Sequence, residues 1–144
     1  MKLEEIFEMW SVDSDIDRTE LGKEALKISK MHYKYYRLFS NERLLLKKME
    51  SEHKQLYKDK SEWFNGIMEP GRLKELGWEP NYLKIMKSEL PMHIDSDKDI
   101  IKSNLRIALQ QEKVDVLESI IKSLNGRGFN IKAAIDYEKF KTGM

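Results

Sequence analysis

Five cationic side chains between residues 23 and 37 could neutralise the phosphates of a nucleic acid. They recur at spacings of four, three, four and three residues, which places them on one face of an α-helix. Aromatic side chains are interleaved with them, and residues 25–40 contain no acid. This combination suits single-stranded nucleic acid, because cations bind phosphates and rings stack on unpaired bases. A purely solvated helix face is the alternative. We call this set the basic stripe: Lys23, Lys27, Lys30, Lys34 and Arg37.

A second group of cations follows on the next predicted helix, where Lys54 and Lys58 share one side. Lysines and aromatic residues are interleaved in the segment from Tyr57 to Phe64. We predict that this cluster binds a strand by phosphate contacts and base stacking. Trp63 lies in the apolar phase of the helix and is equally a candidate for the core. Lys60 shares that phase, where a lysine either extends its stem to solvent or points into a groove or a subunit interface.

The charge of the chain is separated along its length, although the formal net charge is only +1. Residues 1–17 carry one lysine and six acids, whereas residues 18–48 carry nine cations and three acids. Such a separation can steer an anion toward the basic region. The anion can be a nucleic acid or an acidic protein. A coiled-coil scaffold or chaperone that binds an acidic partner is therefore the alternative function.

The residues needed for catalysis are missing from the sequence. No glycine-rich phosphate loop is present, and the absence of cysteine excludes disulfides and thiolate metal sites. Glu50 and His53 form one Glu-x-x-His pair, but a di-iron site needs a second. Two acidic triplets, at residues 13–17 and 95–99, lack the glycine of a calcium loop and are better interpreted as helix starts. We predict a protein that is not an enzyme and needs no metal or cofactor.

Composition favours long helices, because 35% of the residues are charged and there are only 7 glycines and 3 prolines in 144 residues. No apolar run approaches the roughly 18 residues that span a bilayer, and the amino terminus lacks the apolar core of a secretion signal. We therefore expect a cytoplasmic protein that does not enter membranes.

Periodicity and capping residues predict an all-α fold whose long helices form an elongated, hairpin-like or coiled-coil-like arrangement. The predicted helices cover residues 3–9, 18–39, 42–65 and 129–140, and a further one starts after the acidic cluster at 95–99 and runs to residue 124. Breaks are predicted at Ser40-Asn41 and Asn125-Gly126. All three prolines fall in a loop-rich middle, which has one short helix near residues 72–76. We predict that the helices and the loop-rich middle form a single domain. It has a basic helical region at 1–66, a loop-rich segment at 67–94 and oligomerisation helices at 95–144.

The helix predicted from residue 95 is apolar on more than one side, which indicates contact with several neighbours, other subunits among them. One apolar stripe contains Ile101, Leu105 and Leu109. We assign oligomerisation to the other stripe and to the tail that follows it: Ile107, Val114, Leu117, Ile121, Leu124 and Phe129.

The second basic cluster carries a resemblance to the UvsY family of phage recombination mediator proteins. Its segment from Tyr57 to Trp63 is similar to a short basic element of that family, with Lys58 and Lys60 at the cationic positions and Asp59 as a departure. Three further stretches resemble the family in the same order along the chain. They are Asp17 to Ala25, Asp97-Lys98-Asp99-Ile100, and Arg127 to Lys132.

The resemblance implies a mediator that binds single-stranded DNA and helps a RecA-like recombinase replace the single-strand-binding protein. It also implies a ring-shaped homo-oligomer of about six or seven subunits. Lys58 and Lys60 are carried over as the leading DNA contacts, and we expect Lys54 and Trp63 to lie beside them. The basic stripe forms a second, weaker group of contacts.

Overall fold

The computed structural model describes residues 1–143, and every regular element in that range is a helix. The all-α prediction is confirmed. The helices are α1 (Leu3–Asp13), α2 (Leu21–Phe64), α3 (Pro70–Leu76), α4 (Leu90–Asp95) and α5 (Lys98–Lys141). Helices α2 and α5 have 44 residues each and supply most of the packing surface.

Helix α2 runs without interruption through Ser40-Asn41, so the predicted break there is wrong. Serine and asparagine cost only a few tenths of a kcal/mol in a helix interior, and a capping residue ends a helix only where packing requires an end. Here packing requires continuity, because Tyr35 and Leu46 are buried on either side of the pair. The buried face therefore outweighs the local capping signal.

Helix α5 likewise continues through Asn125-Gly126, where the sequence predicted a stop. Leu124, Arg127 and Ile131 are buried at spacings of three and four residues, so one helical face is maintained across the glycine. A helical glycine costs about 1 kcal/mol relative to alanine, which burial of two aliphatic side chains exceeds. The predicted tail helix is the end of α5.

The middle of the chain contains one predicted helix and one that the sequence did not reveal. Helix α3 confirms the prediction near residues 72–76, and it ends at Gly77, whose φ of +70° is favourable only for glycine. Gly66 ends α2 with the same φ. Helix α4 was missed because it has only six residues and includes Pro91.

The described chain divides into two compact units, which we describe separately. Unit 1 comprises Met1–Leu44 and the chain from Gln110 onward. Its core contains Ile6, Tyr35 and Leu117, with the Trp10 ring packed edge-on against Tyr35. The side-chain amide of Gln110 donates to the Glu42 carboxylate at 2.6 Å, and Arg127 contacts Met31. These pairs show that α2 and α5 run antiparallel within unit 1.

Unit 2 comprises Leu45–Leu109, with Met68, Ile94 and Ile100 among its buried residues. A hydrogen bond of 2.8 Å joins His53 to Ser103, which again pairs α2 with α5 in antiparallel order. His53 is thus a partly buried structural residue. The division of the sequence into three regions at residues 66 and 94 stays a prediction.

Most of the predicted oligomerisation stripe packs inside the subunit, which corrects its assignment. Val114, Leu117 and Leu124 are buried in unit 1, and Ile121 packs against its core. Ile107 is half-buried in unit 2. The exposed apolar residues of α5 include Ile101, Leu105 and Leu109, together with Phe129, which is 79% exposed. No helix among residues 1–143 is long and apolar enough to span a membrane.

We expect Leu117→Ala to lower the free energy of unfolding by about 2–5 kcal/mol, because it leaves a cavity in the core of unit 1. Urea denaturation measures this loss. Leu26→Ala, the same change at a residue of α2 that is 85% exposed, serves as the control and should change stability by less than about 0.5 kcal/mol. An equal loss in both variants would contradict the assignment of Leu117 to the core and Leu26 to the surface.

Candidate nucleic-acid interface

Lys54 and Lys58 form an exposed cationic pair on α2 within unit 2. They are four residues apart, so their side chains lie on the same face of the helix. Within residues 1–143, neither ammonium group lies within 4.0 Å of a carboxylate. Both charges are therefore free to bind phosphates.

Lys60 differs from this pair, because its ammonium group has carboxylate partners inside unit 2. Its side chain is buried, and its Nζ lies 3.2 Å from Asp97 and 2.9 Å from Asp99. Two residues along a helix correspond to a rotation of about 200°, so Lys58 faces outward where Lys60 faces inward. The Lys60 charge is thus paired with the start of α5, and its role as a DNA contact stays a prediction.

The indole rings of unit 2 complete the environment of Lys60. Its Nζ lies 4.4 Å from the ring centroid of Trp78 and 5.9 Å from that of Trp63. Cation–π attraction favours the ammonium between two rings and two carboxylates. The Trp63 Nε1 donates a hydrogen bond of 2.6 Å to the carbonyl of Glu79. Trp63 is thus a half-buried structural ring, and any base stacking uses only its accessible part.

The acid between the two lysines, Asp59, is also paired inside unit 2. Arg72 donates to its carboxylate at 2.8 and 3.3 Å from two guanidinium nitrogens. These bonds, with a further one to Glu75, raise the pKa of Arg72 further above its usual range. Because Arg72 neutralises Asp59, this acid does not cancel the positive field of Lys58.

The basic stripe lies in unit 1, and three of its five members have carboxylate neighbours. Lys34 bonds to Asp13 at 2.7 Å, Lys27 to Glu24 at 3.2 Å, and Lys23 lies 3.7 Å from Glu20. Lys30 and Arg37 are exposed and have no carboxylate within 4.0 Å in the described part of the chain. The stripe is therefore partly neutralised within its own subunit.

Asp13 is the most strongly held of these acids. Partial burial opposes its ionisation, but hydrogen bonds from Lys34 and Tyr35 outweigh that effect and lower its pKa. Burial and the bond to Asp13 raise the pKa of Tyr35. Asp13 is thus a carboxylate at neutral pH, and it removes Lys34 from the free charges of the stripe.

A groove of about 680 Å³ opens beside the basic stripe in unit 1. Its floor is apolar, with Met9, Met31 and Leu38 among the lining residues, and its edge includes Lys30 and Arg37. Methionine side chains adapt to varied apolar partners. An apolar groove with a cationic edge fits a peptide that combines carboxylates with apolar side chains.

Sequence reasoning missed the partners of Lys60 and of Asp59. Asp97 and Asp99 were interpreted as a helix start, which they also are, since Asp97 accepts the backbone N–H of Asp99 at 2.9 Å. The position of Lys60 could have revealed these partners. It lies among the apolar positions of the helix, where a buried cation requires a counterion. Within residues 1–143, no group of three or more acidic or histidine side chains is arranged to hold a metal ion.

Comparison with known proteins identifies the relatives of this chain. A family model described as "Recombination, repair and ssDNA binding protein UvsY" matches residues 9–144. The "Recombination protein uvsY" of Enterobacteria phage T4 is 24% identical over 143 residues, which cover 99% of each chain.

Solved structures match this fold as well. Two crystal forms of the bacteriophage T4 recombination mediator protein UvsY superpose with TM-scores of 0.86 and 0.85. The first is 23% identical and the match covers 99% of this chain and 98% of that one. The second is 22% identical, with 97% and 99% covered. At this level of identity the likeness shows a shared helical fold.

We expect Lys60→Ala to lower the free energy of unfolding by about 1–3 kcal/mol, because it leaves Asp97 without its buried counterion. Lys58→Ala, the neighbouring exposed lysine, should change stability by less than about 0.5 kcal/mol. Chemical denaturation of both variants provides the comparison. If Lys60→Ala were as stable as the unmodified protein, the ion pair would have no structural role.

Proposed function

This chain belongs to the UvsY family of recombination, repair and single-stranded DNA binding proteins, and on that premise we propose that it is a recombination mediator. It binds single-stranded DNA and helps to load a RecA-like recombinase onto strands that carry single-strand-binding protein. The observation that carries the proposal is the family match over residues 9–144, joined to a free cationic pair on α2.

Lys54 and Lys58 are the leading phosphate contacts in this proposal. Their charges are exposed and unneutralised in the described chain, whereas Lys60 holds the fold of unit 2. Lysine ammonium groups contact the backbone and not the base edges, so we expect binding without sequence preference. The half-buried Trp63 supports the pair by fixing the end of α2, and its accessible edge is the only part left for a base.

The mechanism is mechanical, with no catalytic residue and no cofactor. Binding holds the strand in a form that weakens the grip of the single-strand-binding protein and suits nucleation of the recombinase filament. Each phosphate contact releases counterions, so the lysines compete for the same backbone that the single-strand-binding protein occupies. The protein acts in the cytoplasm of the host cell, where a phage recombinase works.

Self-association strengthens this binding. We assign a homo-oligomeric ring of about six or seven subunits, as the resemblance implies, and its contacts include the exposed apolar residues of α5. Repeating the Lys54–Lys58 pair around a ring makes later contacts intramolecular, so weak individual sites add up to tight overall binding. The exposed contact residues are Ile101, Leu105, Leu109 and Phe129.

A second candidate function is a scaffold or chaperone that binds an acidic protein. The groove in unit 1 favours it, because an apolar floor edged by Lys30 and Arg37 suits a peptide with carboxylates and apolar side chains. In the primary proposal these two free cations are a weaker second set of strand contacts. Lys23, Lys27 and Lys34 contribute less because acids already pair with them.

We expect Lys54→Ala/Lys58→Ala to weaken binding of a labelled thymidine oligonucleotide and to reduce the slope of log affinity against log salt by about 1.4 per site. That value corresponds to two lost phosphate contacts. Fluorescence anisotropy at several salt concentrations measures both quantities. The same variant should fail to restore ATP turnover by a RecA-like recombinase on strands covered by single-strand-binding protein.

The matched control is Lys132→Ala/Lys139→Ala, which removes two exposed lysines of α5 in unit 1. It should leave the salt slope unchanged. If both double variants changed the slope equally, binding would depend on net charge alone. If the unmodified protein bound no oligonucleotide at moderate salt, the proposed function would fail.

Lys30→Ala/Arg37→Ala separates the two candidate functions. As a secondary strand contact, this pair should lower oligonucleotide affinity by less than Lys54→Ala/Lys58→Ala does, with a smaller change in salt slope. A labelled acidic peptide with alternating leucine residues serves as the second probe. Unchanged oligonucleotide binding together with loss of peptide binding would instead assign the groove to an acidic partner.

A further inference from the structure

The segment between α3 and α4 presents apolar side chains to solvent in an unusual concentration. Tyr82 is 87% exposed, Leu83 72% and Met86 67%, and the segment around them is neither helix nor strand. An exposed apolar group with no intramolecular partner indicates an interaction site. The exposed ring of Tyr82 is the largest of these surfaces.

The start of this segment is fixed to the end of α2. The Asn81 side-chain amide donates to the carbonyls of Trp63 and Phe64 at 3.1 and 3.2 Å, which satisfies two helix-terminal acceptors. Its Oδ1 accepts the backbone N–H of Leu83 at 3.1 Å. The backbone at Tyr82 therefore starts from a fixed point on α2, and the local bond from Leu83 to Asn81 sets the turn that follows it.

The end of α2 that Asn81 contacts is close to Lys54 and Lys58 along the helix axis. Lys58 and Trp63 are five residues apart on α2, which corresponds to about 8 Å along the helix axis. Asn81 docks at the Trp63 carbonyl, so Tyr82 follows the same end of the helix. Five residues also rotate the helix by about 140°, so a strand that contacts both features has to pass around the end of α2. Single-strand sites of roughly 4–16 nucleotides are long enough for that path.

The charge around Tyr82 is positive. Residues 80–88 contain Lys84 and Lys87 and no acid, although Glu79 and Glu89 flank the segment. Both lysines are exposed, and neither has a carboxylate within 4.0 Å in the part of the chain that is described. A free ring between free cations has the chemistry of a strand-binding surface, in which bases stack and phosphates are neutralised.

We propose that residues 81–87 form a second strand contact, in which the Tyr82 ring stacks on an unpaired base and Lys84 and Lys87 bind adjacent phosphates. This inference deepens the proposed function and rests on it. An apolar contact with another copy of the chain is the competing use of the segment. The two free lysines favour the strand, because an apolar contact with a second copy does not require them.

The test compares Tyr82→Ala with Tyr82→Trp in the full-length chain, using a labelled thymidine oligonucleotide and an abasic strand of equal length. We expect Tyr82→Ala to weaken thymidine binding about 5-fold or more, since stacking of one base is lost. The salt slope should not change, because the ring carries no charge. Tyr82→Trp should retain the affinity, and on the abasic strand all forms should bind equally.

Two further variants complete the design. Lys84→Ala/Lys87→Ala should reduce the salt slope by about 1.4, as for two lost phosphate contacts. Tyr137→Ala, which removes another exposed tyrosine in unit 1, should leave thymidine binding unchanged. Analytical ultracentrifugation checks that Tyr82→Ala keeps the solution mass of the unmodified protein.

Three results would overturn the inference. These are unchanged thymidine binding by Tyr82→Ala, an equal loss on the abasic strand, or a fall in solution mass that accounts for the weaker binding. None of these three results by itself overturns the proposed function, which depends on the Lys54–Lys58 pair. If Lys54→Ala/Lys58→Ala weakens binding but Tyr82→Ala does not, the function stands and only the second contact is lost.

Discussion

Unit 2 contains one buried charge on which its packing depends, the ammonium group of Lys60. This group joins α2 to the start of α5. Asp97 and Asp99 neutralise it, and the rings of Trp63 and Trp78 cover it. Removing such a cation from water is costly, and the cost is offset only when both carboxylates stay in place. The ion pair therefore requires the loop-rich middle to fold back on α2.

The helical period determines which of the other charged side chains of α2 face solvent and which face the interior of unit 2. Lys58 faces solvent because it lies about half a turn away from Lys60, and Lys54, about a third of a turn away, is exposed as well. Asp59, which sequence alone places between two cations, faces Arg72. Asp59, Asp97 and Asp99 are thus paired inside unit 2. The basic stripe of unit 1 differs, because three of its surface cations are paired with carboxylates. The acids are Asp13, Glu20 and Glu24.

Periodicity was sufficient to predict the long helices but not their lengths, and it missed the short α4. The breaks predicted at Ser40-Asn41 and Asn125-Gly126 rested on local preferences worth about 1 kcal/mol, which burial of Tyr35, Leu124 and Ile131 exceeds. Apolar spacing alone did not show which stripe of α5 faces α2 and which faces solvent. The counterions of Lys60 were unpredictable for another reason, since they are remote in sequence and depend on how the middle segment folds.

The placement of residues 81–97 follows from these contacts. Asn81 fixes one end of this stretch to the carbonyls of α2, and the bond from Lys60 to Asp97 fixes the other end to the same helix. A chain held at both ends presents its exposed side chains in a reproducible place without packing them in a core. In the proposed function, stability and strand binding therefore use different residues of unit 2. Substitutions at Lys58 and Tyr82 are then expected to change binding while the buried charge of Lys60 still supports the fold.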